Sequence, residues 1–246
     1  MNHHLSKATA FLCLASPFFF TSCKKNHNST PACTLAGVTY STPNRLDNYI
    51  FNYDPHGDLI SLTQTTGTFL ELTRNFLRSG NQSIVTTIYD TQPNTPAEID
   101  TVTTNVLGYI TSINGKDYTG TGFEKHAIYT YDRFFHQQTY TFNSSPITYS
   151  IWQNGDLVKQ YSGTDTTTYT YTNTPFSVAD GSNIKYFIYY GAYDQKTMHL
   201  IRSKTFSNGD VTNYSYSFDA NGNVTQTMIN YYGLDSETYN FQYNCQ

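Results

Sequence analysis

The sequence predicts an all-β protein, a single antiparallel meander of about sixteen strands curled into a barrel, half-barrel or sandwich. Three observations predict it. Aromatic and aliphatic side chains alternate with Ser, Thr and Asn along run after run, the period of an extended strand with one covered face. Turn residues punctuate these runs roughly every eight to twelve residues. The composition, 16% aromatic with 23 Tyr and only 13% charged, suits sheet and excludes the disordered class.

Taken in order, residues 1–22 lie outside the fold. Lys7 supplies a positive charge, Ala8–Phe20 is an unbroken apolar or small stretch of 13 residues, and Phe20-Thr21-Ser22-Cys23 follows. Thirteen helical residues reach only about 20 Å, short of the roughly 30 Å hydrocarbon core, which disfavours a transmembrane helix. The pattern resembles a bacterial lipoprotein signal peptide, with Phe20 where that family usually has Leu. The resemblance implies cleavage before Cys23 and acylation of Cys23 as the membrane anchor. Because Lys24 rather than Asp follows, it also implies sorting to the outer membrane, on its periplasmic or surface side.

Residues 23–32 read as a tether, with the Asn, Ser, Thr and Pro of Asn26–Pro31, and 33–246 as a single β domain. Loss of Lys7 leaves 13 basic against 18 acidic residues, so no basic face for nucleic acid is expected. With Cys13 in the leader and Cys23 acylated, Cys33 and Cys245 remain as a pair at the two ends of the domain. In an oxidising compartment a disulfide between them would close a loop of about 213 residues.

The strands follow from their turns. Tyr49–Leu62, YIFNYDPHGDLISL, and Tyr214–Thr227, YSYSFDANGNVTQT, carry the same hairpin module. Aromatics recur every second residue, then Asp-x-x-Gly turns the chain. Pro55 fits the second position of a type I turn and not of type I′, so a positive-φ Gly and a bulge are expected, with Leu59 and Val224 opening the returning strands. A calcium loop is the other reading of Asp-x-x-Gly, but the twelfth positions are Thr65 and Asn230 where a bidentate Glu is needed. Between the copies the runs are Asp47–Tyr53, Leu59–Thr65, Thr68–Leu77, Ser83–Tyr89, Thr101–Val106 and Tyr109–Ile113, the last closing on Asn114-Gly115.

Phe69, Leu72 and Phe76 would also share a helical face, but Gly67 and Gly80 sit at hairpin spacing around them and favour a strand. Further runs are Lys125–Tyr131, Phe135–Phe142, Ile147–Trp152, Leu157–Ser162, Thr166–Thr172, Ile184–Tyr190, Leu200–Phe206, the second module and Glu237–Tyr243. Ile184–Tyr190 reads as a central strand between two long loops, Asn173–Asn183 and Gly191–Thr197. Tyr-x-Phe-x-Tyr-Asp-x-x-Gly-x-Leu and Tyr-x-Tyr-x-Phe-Asp-x-x-Gly-x-Val are similar to the YD-repeat unit. The chain as a whole resembles envelope lipoproteins of unknown function built from such hairpins, a likeness that implies fold and location and carries no activity.

No phosphate loop, HExxH, GxSxG or CxxC is present, and no catalytic residue, metal site or cofactor is predicted. His126 and His136 lack a motif-placed carboxylate, and Asp117, Glu124, Asp132 and Asp194 read as solvated caps near turns. Trp152, Tyr186, Tyr189, Tyr190 and Tyr193 are the candidate ligand-binding residues, their rings able to stack on sugars, with core filling as the competing role. The expectation is a lipid-anchored binding or structural module whose partner is a glycan, a lipid or an envelope protein. A hydrophobic-ligand carrier and a polysaccharide hydrolase, the latter needing two convergent carboxylates, are the alternatives.

Overall fold

A computed structural model describes residues 33–118, 122–176, 184–232 and 235–245. The leader, Cys23 and the tether lie outside the described residues, as do 177–183 of the first long loop. The first strands are β1 (Cys33–Thr42), β2 (Arg45–Tyr53), β3 (Leu59–Thr66), β4 (Phe69–Ser79) and β5 (Gln82–Tyr89). Then come β6 (Glu98–Thr104), β7 (Ile110–Asp117), β8 (Glu124–Tyr131), β9 (Gln137–Phe142), β10 (Thr148–Gln153), β11 (Asp156–Ser162) and β12 (Asp165–Pro175). A helix, α1 (Ile184–Tyr190), precedes β13 (His199–Phe206), β14 (Val211–Phe218), β15 (Val224–Asn230) and β16 (Glu237–Cys245).

Each strand pairs antiparallel with its neighbours in sequence, and β1 pairs with β16, so the sheet closes as a barrel. Half-barrel and sandwich are thereby excluded. The seam runs from Tyr40↔Tyr239 to Cys33↔Cys245, where the two sulfurs are bonded, with a one-residue register shift between Leu35 and Gly37. Alternation sets the two faces. On β4, Leu72, Arg74 and Phe76 point inward and are buried, while Thr73 and Asn75 point out. From β12 through β16 to β1 the outer wall is Thr168, Thr170, Ser203, Asn213, Ser215, Gln226, Asn240 and their like.

The module turns as its residues dictate. Gly57 N donates to Asp54 O at 3.0 Å, Gly57 has φ 86°, and Asp54 Oδ1 accepts from His56 N and Asp58 N. Asp219 and Gly222 repeat this geometry, and Leu59 and Val224 open β3 and β15. Asn105–Tyr109 and Asp132–His136 are two further copies with the same side-chain cap, Phe135 taking the glycine place at φ 63°. At Phe206–Asp210 the backbone bonds recur without an Asp at the first position.

Three expectations are corrected. Ile184–Tyr190 is a helix, and Cys33–Thr42, not among the expected runs, is the missing strand, so the total of sixteen stands with one member exchanged. A closed barrel has no free edge to hydrogen-bond an inner segment, which must therefore satisfy its own backbone as a helix. Asn114-Gly115 is no turn, because β7 runs on to Asp117. There the missing Cβ makes room for the Asp100 carboxylate, which a methyl at Gly115 would overlap. The first long loop begins later than expected, since β12 reaches Pro175.

Candidate functional site

Sixteen strands enclose more space than wall side chains alone fill, and in membrane barrels of this strand number the surplus is a water channel. Here α1 and a ring of tyrosines occupy it. Ile184 and Ile188, one turn apart, are buried on one face of α1, and Phe187 packs on Phe51 at 5.5 Å and stacks on Tyr193 at 5.2 Å. The helix ends at Gly191, whose φ of 65° lets its N–H donate to Phe187 O at 2.9 Å. Lys185 reaches Glu237 at 3.3 Å.

Three clefts adjoin one another around this helix. The first, about 250 Å³, is polar and lined by Tyr40, Arg45, Asp47, Tyr49, Gln64 and Tyr189. The second, about 230 Å³, is aromatic, with Tyr129, Tyr140, Phe142, Tyr186, Tyr189 and Tyr190 in its wall. Lys185 and Tyr189 border both. The third, about 290 Å³, shares Tyr140 and Tyr186 with the second and adds Gln137, Gln160, Tyr169 and Lys204. Burial pushes the Tyr129, Tyr186 and Tyr190 phenols well above their usual range, so at neutral pH they are hydrogen-bond donors.

Two carboxylates converge on Arg45, Asp47 in the lining of the first cleft and Glu71 outside it. Asp47 accepts from Arg45 Nε at 2.6 Å, and Glu71 from Arg45 Nη2 at 3.1 Å. Thr66 Oγ1 lies 2.8 Å from Asp47 Oδ1 and 2.7 Å from Glu71 Oε2, and Gln64 Nε2 donates to Glu71 at 2.7 Å. Both acids are thus committed to holding an arginine and its neighbours in place.

Behind the clefts runs a charged row that sequence reasoning missed. Arg74 lies buried with its guanidinium 4.7 Å from the Tyr189 ring centroid. Register carries the row across the wall: Arg74 opposite Thr87, Val85 opposite Asp100, Asp100 opposite Gly115, Gly115 opposite Lys125. Lys125 pairs with Glu98 and stands 3.7 Å from Asp100. Burial raises Asp100 to about 6 against the pull of Arg74, and lowers Lys125 to about 8 with Arg74 adding repulsion. A signal was available: Arg74 and Lys125 fall at inward positions of alternating runs, between Leu72 and Phe76 and before Ala127 and Tyr129.

Of the five expected aromatics, Tyr186, Tyr189 and Tyr190 line the clefts. Tyr193 instead stacks beneath Phe187, and Trp152 lies elsewhere. The Trp152 indole donates to Gln137 O at 2.7 Å and stacks on His136 at 4.9 Å, beside a separate open depression that includes Phe134 and Asp132. Asp132 is the expected turn cap, whereas Asp194 is buried and lines the third cleft. Its place next to α1 draws it into the barrel.

No family model matches the chain, and no curated protein matches it. Among solved structures, the crystal structure of a porin-like protein from Bacteroides uniformis ATCC 8492 is similar, with a TM-score of 0.58. The match covers 85% of this chain and 98% of that one at 16% identity. The likeness is one of fold.

Proposed function

We propose that the chain is a cell-envelope protein, tethered to the outer membrane through lipid on Cys23, whose barrel binds a ligand in the clefts around α1 and catalyses no reaction. The observation that carries this reading is the set of three adjoining clefts lined by tyrosines, amides and charges around a helix held inside a disulfide-closed barrel. The lipobox-like Phe20-Thr21-Ser22-Cys23 and the porin-like description of the similar Bacteroides protein support the location. The recurrent Asp-x-x-Gly hairpins support kinship with YD-repeat proteins.

A pore is not what this wall is built for. A membrane barrel turns an apolar band outward and polar side chains into its lumen. Here apolar Leu46, Ile50, Leu77, Ile84, Ile128 and Ile151 face out on β2–β10, but Thr, Ser, Asn and Gln face out along β12–β16. No apolar band therefore runs round the barrel, while Leu62, Val85, Val102 and Phe241 face in. Hydrolysis is disfavoured because Asp47 and Glu71 are both bound to Arg45. A hydrophobic carrier is favoured only by the second cleft, which is aromatic but has polar neighbours on both sides.

Native mass spectrometry of the protein from its own envelope tests the reading. The expected spectrum shows an N-terminal lipid mass that Cys23→Ser abolishes, and a non-covalent adduct that Tyr186→Ala weakens. An adduct-free wild type that also ignores glycan and lipid panels sinks the binding function. Turnover on a glycan or ester panel, lost in Asp47→Asn, overturns the non-enzymatic part.

A further inference from the structure

We propose that the third cleft is a subsite for one ring of a neutral sugar, an inference that rests on the reading of the lumen as a ligand site. Its volume of about 290 Å³ is close to that of about ten liquid waters, which suits a single sugar ring and not a chain. The wall pairs ring faces with groups that both donate and accept. Tyr140, Tyr169 and Tyr186 put aromatic rings in the wall, while Gln137 and Gln160 each carry an amide carbonyl and an amide NH₂.

Gln160 is fixed in orientation, accepting from the Tyr169 hydroxyl and donating to Ser150 Oγ at 3.3 Å. Gln137 is 2% exposed, and its side-chain oxygen has no hydrogen-bond partner among the described residues. A sugar hydroxyl, donor and acceptor at once, complements such a wall, and its aliphatic ring face stacks on tyrosine.

Other ligand chemistries fit less well. An acyl chain would cover the Gln137 amide oxygen and return it no hydrogen bond. An anion finds one ammonium, Lys204, already set over the Tyr169 and Tyr214 rings at 5.7 and 5.4 Å, and meets the Asp194 carboxylate in the same cleft. The charges in the wall offset one another, and an uncharged polyhydroxy ring loses least on entry.

The test is calorimetric titration of the purified mature protein with neutral hexoses and their disaccharides, with glucuronate and with palmitate. A neutral sugar is expected to bind, its Kd rising about ten-fold in both Gln160→Leu and Tyr169→Phe, with melting curves confirming that the variants fold. Lys204→Met should move that Kd less than about two-fold, and Trp152→Phe should leave it unchanged. Binding of palmitate or glucuronate alone, weakened by Tyr186→Ala, overturns the sugar assignment and leaves the lumen reading intact. Sugar binding lost in Trp152→Phe and kept in Gln160→Leu places the site at the Trp152 depression and overturns the subsite. Absence of binding by every probe, together with an adduct-free native spectrum, overturns both readings.

Discussion

The Tyr53 hydroxyl donates to the Leu35 carbonyl on the preceding strand at 2.8 Å, and the same bond recurs around the barrel. Tyr131 reaches Ile110 O at 2.5 Å, Tyr171 Leu157 O at 2.7 Å, Tyr216 Ile201 O at 2.8 Å and Tyr243 Val224 O at 2.9 Å. In each case an inward tyrosine of an even-numbered strand ties to the odd-numbered strand before it, on the end where Cys33 begins. At Tyr53-Asp54 and Tyr131-Asp132 the tyrosine before the turn Asp is therefore a clasp between strands as well as a core filler. Before Asp219 stands Phe218, and Tyr216, two residues earlier, makes the bond. Burial pushes the Tyr53 phenol up to about 12, so the donor stays protonated at neutral pH.

Tyr53→Phe keeps the ring and deletes the clasp. Urea unfolding should show a loss of about 1 kcal/mol, more if the Leu35 carbonyl finds no water. Tyr161→Phe, whose outward ring stacks on that of Tyr149 at 5.2 Å and carries no such clasp among the described residues, serves as the comparison and should lose less. Equal losses in the two variants would assign the effect to the ring environment and not to the bond.

The disulfide acts on the same end. Cys33 and Cys245 close the seam between first and last strands across a separation of 212 residues. On chain-entropy grounds the bond contributes on the order of 4–5 kcal/mol. The Cys33→Ser, Cys245→Ser double variant, or the reduced wild type, should unfold at a distinctly lower denaturant concentration, and proteolysis should begin at β1 or β16. An unchanged midpoint would mean that β1·β16 pairing alone closes the barrel.

What the sequence made legible was local. Asp-x-x-Gly dictated the turns because its side chain and its positive-φ glycine act within five residues, as at Asp54–Asp58. Closure was not legible, since alternation says only that a face is covered and the β1·β16 pairing joins the two ends of the domain. Ile184–Tyr190 suits either period because six of its seven residues are Ile or aromatic, and the deciding fact is the lack of a sheet edge inside the barrel. The clefts draw on β1, β2, β3, β8, β9 and β12 together, a convergence that no spacing in the sequence announces.

Gly115 gives a test of the misread turn. Gly115→Ala would drive a methyl into the Asp100 carboxylate, whose neighbours Lys125 and Arg74 leave it little room. The expected cost is about 1–3 kcal/mol, measured by urea unfolding. Gly57→Ala, at a turn with open space beyond its Cα but a φ of 86°, should cost about 1 kcal/mol through backbone strain alone. If Gly115→Ala were neutral, Asp100 would not be packed against that glycine.

Asp100 and Lys125 also give the barrel a pH signature with two limbs. Asp100 is raised from 3.8 to about 6, so between about pH 4 and 6 the folded chain holds a proton that the unfolded chain releases, and stability falls as pH rises through that window. Lys125 is lowered from 10.5 to about 8, so between about pH 8 and 10.5 the unfolded chain holds the extra proton, and stability rises with pH. The groups facing this pair are Arg74, Glu98 and Tyr190, and turn carboxylates such as Asp219, held low by Asn223, add a slope of opposite sign at the acid end. The difference between wild type and variant removes that background. Asp100→Asn should flatten the acid limb, worth on the order of 3 kcal/mol, and leave the alkaline limb in place. Lys125→Met should do the reverse, and superimposable pH profiles for wild type and both variants would show that neither group is perturbed by the fold.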